Sequence, residues 1–353
     1  MELVKSFKLE LPFAKKAKPA SAVGLDIGSY AIKCVEVSRT EGQAILKQAC
    51  YEPLPNSTKD ALLMTLRRLL QSFSPPPKTV RVAVAGPSVL IRRISLPALT
   101  PSELKGAIRF EAERHIPFSI HECVLDFQVL GQAPDHKSMN VLLAVAKRDF
   151  IEERFRLLAE AGLYPEVMDA DIFCLANAYE ALSNGGPKTY GLLNVGHGLS
   201  SFAIIYDGIA FFFRELSFGG AGITKAIQEL KGVDENQADR LKKTRGAEEP
   251  DLLKQATQKG FEPLADELKL SIDYFENEIG EELKTLFLSG GGALSAGAGE
   301  ALAAELGKEV IVWDGVKRMA IAPEKVSAQF LEDHYLEFSV ACGLALRGLG
   351  KSK

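Results

Sequence analysis

The chain has 353 residues, of which 46% are hydrophobic and 25% are charged, so it can form two ordinary globular domains and is not intrinsically disordered. Its formal net charge of -4 excludes a general, strongly basic field for nucleic acid. The five cysteines show no CxxC spacing, the histidines form no HExxH pair and no apolar run reaches about 20 residues. A disulfide scaffold, a zinc hydrolase and a membrane span are therefore not predicted.

The first 20 residues predict a flexible, solvated tail, because five lysines stand there against two glutamates. An alternative stays open, in which the tail binds a membrane surface or a partner. Its short apolar face would consist of Leu3, Val4, Phe7, Leu9 and Leu11.

Residues 23–49 read as a strand, a glycine turn, a second strand, a hairpin turn and a third strand. Alternating helices and strands are predicted next, with helices over 59–73, 100–115, 147–161 and 171–182 and strands over 80–85, 123–130 and 141–146. The run Asn184-Gly-Gly-Pro187 is typical of a hinge, because glycine and proline interrupt regular structure.

Residues 190–216 repeat the order of the first hairpin region. Aligning the two copies pairs Asp26 with Asn194, Ile27 with Val195, and Gly28 with Gly196. The repeat predicts two related lobes, each with its own sheet. Helices are expected over 222–230, 236–243 and 250–282, a strand over 286–289 and one last helix over 332–349.

Each glycine turn follows a strand, and such a turn exposes backbone N–H groups that can bind phosphate oxygens. Near the first turn, Ser29 adds a hydroxyl group, Lys33 adds a positive charge and Asp26 can hold Mg²⁺ through water. A single such motif is more often an ordinary hairpin, so the inference depends on the pair.

A third glycine site, Ser289-Gly-Gly-Gly-Ala293, follows an apolar strand and allows close approach of a base or a ribose. The chain lacks GxxxxGK[ST], which excludes a P-loop, and no GxGxxG follows a strand, which leaves a Rossmann dinucleotide site unsupported.

Three glycine turns in this order resemble the superfamily of actin, heat-shock chaperones and sugar kinases from about Ser21 onward. Residues 24–33 resemble its first phosphate motif, residues 191–198 the second and residues 288–293 the adenosine motif. The resemblance implies an α/β, actin-like (ribonuclease-H-like), two-lobed ATPase fold.

Finer motifs narrow the resemblance. Residues 218–224, 238–242 and 272–275 are similar to the cell-division protein FtsA. Leu96-Pro97, residues 111–118, residues 126–130 and residues 338–347 look like the PilM family of type IV pilus assembly proteins. This family implies an FtsA-like 1C subdomain over 87–162. Subdomain 1A would span 21–86, completed by 163–186 and 325–350. Subdomain 2A would span 187–220, completed by 285–324, and subdomain 2B would span 221–284.

The resemblance implies ATP or ADP with Mg²⁺ as cofactors. Catalytic roles would fall to Asp26, Asp169 and Asn194, with Asp26 and Asn194 holding the metal through water. Asp171 competes with Asp169 for positioning the attacking water, and either acid can instead cap the following helix. The implied nucleotide-binding residues are Gly28, Ser29, Tyr30, Lys33, Gly196, His197, Gly198, Gly219, Gly220, Asp239, Lys242, Gly290, Gly291 and Gly292. For His197, an exposed loop histidine remains the alternative.

The implied function is a cytoplasmic ATP-binding scaffold, peripheral to the inner membrane, in the platform that assembles the pilus and supports twitching motility. It would grip the cytoplasmic N-terminal tail of the inner-membrane protein PilN in a groove between 1A and 1C, beside other platform and motor components. We expect no nucleic-acid partner and membrane association only through partners.

Asn194 departs from the superfamily pattern, because the second phosphate motif normally begins with aspartate. An amide keeps an acceptor oxygen but lacks the negative charge, so it should hold hydrated Mg²⁺ and orient water less well. We therefore expect ATP binding with weak or absent ATPase activity.

The 1C segment carries a basic face, formed by Arg92, Arg93, Lys105, Arg109 and Arg114, which is either solvated or contacts an acidic partner or lipid headgroups. Its start also carries apolar residues that can line a groove, namely Ile91, Ile94, Leu96 and Leu99.

Two other functions stay open at this point. One is a filament-forming division or cytoskeletal protein like FtsA, although the chain stops at Lys353, soon after the last predicted helix, with no amphipathic anchor. The other is a small-molecule kinase of the sugar-kinase branch, for which we find no clear general base.

Overall fold

A computed structural model of the chain describes residues 20–132, 137–183, 185–347 and 349. The predicted tail, apart from Ala20, and Asn184 of the predicted hinge lie outside the described residues. Within them, no helix has both the length and the apolar character needed to cross a bilayer.

The strands, in chain order, are β1 Ser21–Ile27, β2 Ala31–Thr40, β3 Gln43–Pro53, β4 Thr79–Val84, β5 Val89–Pro97, β6 Cys123–Gln132, β7 Ser138–Lys147, β8 Tyr164–Ala170, β9 Thr189–Val195, β10 Ser200–Tyr206, β11 Ile209–Leu216, β12 Thr285–Ser289, β13 Glu309–Val312 and β14 Ala320–Ile321. The helices are α1 Lys59–Gln71, α2 Pro101–Glu113, α3 Arg148–Glu160, α4 Asp171–Leu182, α5 Gly220–Lys231, α6 Glu235–Lys243, α7 Pro250–Ile279, α8 Ala298–Leu306, α9 Ala328–His334 and α10 Ser339–Leu346.

The strands form three sheets. The first has the order β14-β3-β2-β1-β4-β8, the second β11-β10-β9-β12-β13 and the third β5-β7-β6. In each of the two larger sheets, three antiparallel strands are followed by a parallel neighbour of the first strand, β4 beside β1 and β12 beside β9. The repeat seen in the sequence is thus a repeat of sheet topology, and the two related lobes are built on it.

Local signals explain where the helices begin. The Thr58 side chain caps α1, and Thr100 with Glu103 forms a capping box at α2, where Pro101 occupies the first turn. One face of α1 is buried through Leu63, Leu66 and Leu69, as its 3.6-residue periodicity predicts. The predicted helices and strands from residue 23 to residue 289 are confirmed to within a few residues, whereas β5, β8, α8, β13 and β14 were not predicted.

The prediction of one last helix over 332–349 is wrong, because the structure forms α9 and α10 with a break between them. The Leu336 carbonyl accepts hydrogen bonds from the Gly290 N–H, at 3.1 Å, and from the Ser289 hydroxyl, at 3.3 Å. The glycine-rich turn after β12 therefore takes an acceptor that a continuous helix would have used internally.

Helices α4 and α10 pack on each other, and their residues belong to a core that also contains residues of both large sheets. The approach is close at Gly343 of α10, where a Cβ atom would lie 1.7 Å from the Cys174 carbonyl oxygen. The third sheet has a core of its own with α2, formed by Ile94, Leu96, Leu104, Ile108, Val141 and Leu143.

Candidate functional site

A cavity of about 980 Å³ lies between the two large sheets, where the glycine turns of both lobes meet. The predicted site residues that line it are Asp26, Gly28, Ser29, Tyr30, Lys33, Asn194, Gly196, His197, Gly220, Lys242, Gly290, Gly291 and Gly292. The predicted residues Asp169, Gly198, Gly219 and Asp239 do not line it. The fold thus brings together three glycine motifs that are up to 260 residues apart in the chain.

The turn between β1 and β2 places a cation beside a carboxylate. Lys33 is the cross-strand partner of Asp26, so both side chains lie on one face of the sheet, and Nζ is 2.6 Å from Oδ2. Burial alone would lower the pKa of Lys33, but Asp26 outweighs it and raises that pKa. The Gly28 N–H donates to the Ala31 carbonyl, which closes the turn.

Asp171, the first residue of α4, lines the same cavity close to this ion pair. Burial raises the pKa of its carboxyl to about 8, and the negative charges of Asp26 and Glu215 add to that shift, whereas Lys33 and Arg154 oppose it. A carboxyl group that is largely protonated at neutral pH therefore lines the cavity.

This shift predicts a pH-dependent effect of Asp171→Asn on stability. The carboxyl pKa is about 8 in the folded protein and about 4 in an unfolded chain. Between these values the unfolded chain ionises the carboxyl while the folded protein keeps it protonated, so the natural protein loses stability as pH rises, and the loss is complete above pH 8. The amide cannot ionise, so the variant should gain stability relative to the natural protein as pH rises, by at most about 1.4 kcal/mol per pH unit. Urea unfolding between pH 5 and 9 measures the difference.

The control for this series is the same replacement at Asp273, which is exposed on α7. The difference in the free energy of unfolding between Asp273→Asn and the natural protein should not rise across that pH range. A difference for Asp171→Asn that stays constant or falls with pH would contradict the raised pKa.

Asp169, predicted to position water, lies away from the cavity. Its side chain, on β8, is only 4% exposed, forms an ion pair with Arg347 beyond the end of α10 and does not reach the cavity. One of its oxygens also accepts the Ala170 N–H at 2.9 Å. Because Asp169 lies within a strand while Asp171 begins the next helix, the two side chains have different surroundings, and of these two acids only Asp171 lines the cavity.

The turn between β9 and β10 is tied to the start of α5. Its Gly196 and His197 carbonyls accept the N–H groups of Gly220, at 2.9 Å, and Ala221, at 2.8 Å. Gly219 packs directly under this turn, which explains its position beside the cavity but not in its wall. Burial, and then repulsion by Lys242, lowers the pKa of His197, so this ring stays neutral at neutral pH.

The third glycine turn forms the cavity wall beside Asn194. Gly290 has a φ of +91°, and a Cβ atom there would lie 2.4 Å from the Val195 carbonyl oxygen, so only glycine fits. Next to Gly291 lies Glu337, whose carboxylate is 2.7 Å from His334 Nδ1. Sequence reasoning missed Glu337 and His334, because it placed both inside a continuous helix and no motif marks the break.

A hydrogen bond from Tyr30, a residue of the cavity lining, joins the two lobes. The Tyr30 hydroxyl donates to Asp239 Oδ2 at 2.6 Å, and the Tyr30 ring lies 4.9 Å from that of His197. Lys243 Nζ is 2.8 Å from the same carboxylate. Burial would raise the pKa of Asp239, but the bonds from Lys243 and Tyr30 outweigh it and lower that pKa. Asp239 thus joins the lobes without lining the cavity, whereas Lys242 lines it and donates to Thr224 Oγ1 at 2.6 Å.

A second cavity, of about 820 Å³, lies where β5 of the small sheet faces β11 and α7. We call it the groove. Its apolar walls include Ile91, Ile94, Phe118, Ile172, Phe211, Phe213, Leu270 and Tyr274. Of the four apolar residues predicted to line a groove, Ile91 and Ile94 do so, whereas Leu96 and Leu99 pack in and against the core of the small sheet.

Arg93 connects the small sheet to the second lobe across the groove. Its guanidinium lies 4.0 Å from the centre of the Phe211 ring and 3.8 Å from Glu278 of α7. Of the predicted basic face, Arg93 is therefore engaged inside the protein, as is Arg109, which donates to the Ile120 carbonyl at 2.9 Å. The width of the groove depends on the position of both lobes.

Comparisons with known proteins agree with this architecture. A family model described as type IV pilus assembly protein PilM matches residues 24–349. A solved chain of a PilM–PilN type IV pilus biogenesis complex is 28% identical, with a TM-score of 0.82, over 95% of this chain and 100% of the other. The ethanolamine utilization protein EutJ from Carboxydothermus hydrogenoformans is 16% identical, with a TM-score of 0.52, over 98% of this chain and 94% of its own.

The predicted actin-like, two-lobed α/β fold is confirmed by these similarities, while the FtsA-like character of the small sheet stays a prediction. The predicted resemblance to the PilM family is confirmed as well. The filament and sugar-kinase alternatives are not favoured.

Proposed function

Because this chain belongs to the PilM family of type IV pilus assembly proteins, we propose that it is a nucleotide-binding scaffold of the pilus assembly platform at the inner membrane. The observation that carries the proposal is the family match over residues 24–349, together with the similarity to a chain of a PilM–PilN complex. Its partner would be the N-terminal cytoplasmic tail of PilN, through which it would associate with the membrane.

The cavity between the lobes is the proposed site for ATP or ADP. The N–H groups of Gly28 and Gly196 already bond within their own turns, so phosphate oxygens would be bound by the N–H groups that follow and line the cavity, those of Ser29, Tyr30 and His197. The Lys33 ammonium group, which pairs with Asp26, would also bind the phosphate oxygens. The base and ribose would lie against the open surface at Gly291.

Mg²⁺ would bind together with the nucleotide. Among the described residues, no group of three or more histidine, cysteine or acidic side chains is arranged to hold a metal by itself. Asp26 and Asn194 nevertheless line one cavity, and Mg²⁺ commonly uses one or two carboxylates with substrate phosphates and water. These two residues would hold a hydrated ion, which would supply charge neutralisation beside the phosphates.

Nucleotide affinity tests this site. Purified protein should retain ADP or ATP with Mg²⁺ at a Kd below 1 mM, in the ordinary range for such ligands. Gly291→Leu should weaken binding by at least about tenfold, because the new side chain would occupy the cavity wall beside Glu337. Gly106→Leu is the matched control, since Gly106 is exposed on α2 with no atom near its Cβ position.

Calorimetry with the natural protein and both variants measures this affinity. A Gly291→Leu protein that folds and binds as tightly as the control would contradict the proposed position of the nucleotide. The same preparations test turnover: we expect slow hydrolysis in single-turnover measurements, and a faster rate in Asn194→Asp, because the carboxylate would restore the missing charge.

We propose that residues 87–162 form the 1C subdomain and that the groove beside it receives the PilN tail. This groove lies between that segment and the second lobe, formed by β5, β11 and α7, and not between 1A and 1C as the resemblance implied. The support is physical: the groove has apolar walls and lies between β5 and β11, which are both edge strands of their sheets. Its rim on α7 also carries two large exposed apolar side chains, Leu270 and Tyr274.

Leu270→Ala should weaken binding of a synthetic PilN tail peptide by about tenfold, because truncating an apolar anchor in a buried interface commonly costs 1 kcal/mol or more. Met64→Ala is the matched control, as Met64 is 71% exposed on α1 and Leu270 is 62% exposed. Fluorescence anisotropy of a labelled peptide measures both. Equal affinities for the two variants would place the tail elsewhere.

A further inference from the structure

A row of three polar side chains runs across the second lobe from the nucleotide cavity to the groove. Asn194 of β9 is the cross-strand partner of Ser201 of β10, and Ser201 is the partner of Glu215 of β11. Directly opposed residues of antiparallel strands point to the same face, so the three side chains share one face. Asn194 and Ser201 line the nucleotide cavity, whereas Glu215 lines the groove. Glu215 lies two strands from Asn194, a distance of about 10 Å across the sheet.

Glu215 is the acidic residue of the groove that the protein does not neutralise. The other acid in its wall, Glu278, is paired with Arg93, and the nearby Arg214 is paired with Glu267. Arg92, the remaining cation, is exposed at the rim. No lysine, arginine or histidine within the described ranges forms an ion pair with Glu215.

The local contacts of Glu215 leave one oxygen available to a ligand. Oε2 accepts the Gly86 N–H at 2.7 Å, which holds the side chain in place, and no described residue donates to Oε1. The groove that Glu215 lines has apolar walls, which include Phe213 and Ile172. Burial raises the pKa of this carboxyl to about 7, as expected for a carboxylate without a compensating cation.

We propose that Glu215 binds a cationic group of the segment in the groove, either a lysine or arginine side chain or an N-terminal ammonium group, and so selects the partner. The inference rests on the proposed function, in which that segment is the PilN tail. A cation that replaces water beside a desolvated carboxylate makes a charge-assisted hydrogen bond, whereas a tail without one would leave the charge buried and unpaired. The apolar walls would supply binding area, and the bond to Glu215 would fix the position of the segment along the groove.

A double-mutant cycle tests the proposal on the full chain. The protein arm is Glu215→Gln, which keeps an acceptor oxygen for the Gly86 N–H. The peptide arm is a synthetic N-terminal tail of the PilN from the same genome, prepared unchanged, with each lysine or arginine replaced singly by glutamine, and with an acetylated amino group. The acetylated peptide separates the ammonium group from the side chains.

We expect Glu215→Gln to weaken binding of the unchanged peptide about tenfold. One of the modified peptides should bind the natural protein more weakly by a similar factor. Binding of that modified peptide to the Glu215→Gln protein should be hardly weaker than either single change makes it, because both changes remove the same contact. Glu229→Gln, in an exposed pair with Lys259 away from the groove, is the matched control and should leave the affinity unchanged.

Two results would overturn the cation site alone: an affinity of Glu215→Gln within twofold of the natural protein, or losses that simply add. If the Glu215→Gln protein does not fold, the affinities of the peptide series for the natural protein test the cation site. The site is rejected if the affinity stays unchanged whichever one of the peptide's positive charges is removed. If the natural protein binds no form of the peptide, the proposed partner is wrong, and the cation site falls with it.

Discussion

Gly343→Ala is expected to lower the free energy of unfolding by about 3 kcal/mol, the upper part of the range for overpacking a core. The added methyl group would lie 1.7 Å from the Cys174 carbonyl oxygen and 2.5 Å from its carbon. These are backbone atoms of α4, so the contact cannot be relieved by rotating a side chain. Since α4 and α10 belong to the core shared by both lobes, moving them apart would disturb both large sheets.

Urea unfolding at neutral pH measures this loss, and Gly106→Ala is the matched control. Both glycines lie inside helices, but Gly106 is exposed on α2 and has no atom within 4 Å of its Cβ position. The control should gain about 0.5–1 kcal/mol, because alanine favours helix over glycine. A gain at Gly343 as well would mean that α4 and α10 do not touch as described.

Asp169→Ala is expected to cost about 3–5 kcal/mol, because it leaves the Arg347 guanidinium buried without its anion. Both side chains of this pair are almost fully buried. Nucleotide affinity should change little, since Asp169 does not line the cavity between the lobes. The variant therefore separates a structural role from a role in chemistry, and urea unfolding with ADP calorimetry measures both.

The control is Asp314→Ala, which removes the partner of Arg318 in a pair whose side chains are about half exposed. Exposed pairs contribute about 0–1 kcal/mol, so this variant should stay close to the natural protein. The opposite outcome for Asp169→Ala, normal stability with loss of ATP turnover, would restore the role in positioning water that the sequence motif suggested.

Much of the architecture follows from local patterns in the sequence. The repeat around Gly28 and Gly196 predicts two related sheets, because strand alternation and turn glycines are properties of neighbouring residues. The same repeat places Asp26, Lys33 and Asn194 at one cavity, because equivalent turns of two related lobes face each other. Helix boundaries such as Thr100–Glu103 follow from capping, which is also local.

The sequence by itself thus determined the two related lobes, the glycine turns and most of the helices and strands, since each depends on contacts within a few residues. Only the tertiary structure decided that Asp171 rather than Asp169 lies in the cavity, that Leu336 bonds to the turn at Gly290 and breaks the last helix, and that Glu215 reaches the groove. Each of these depends on a partner tens to hundreds of residues away, and periodicity and propensity carry no information about which distant group will arrive to bury a charge or take a carbonyl.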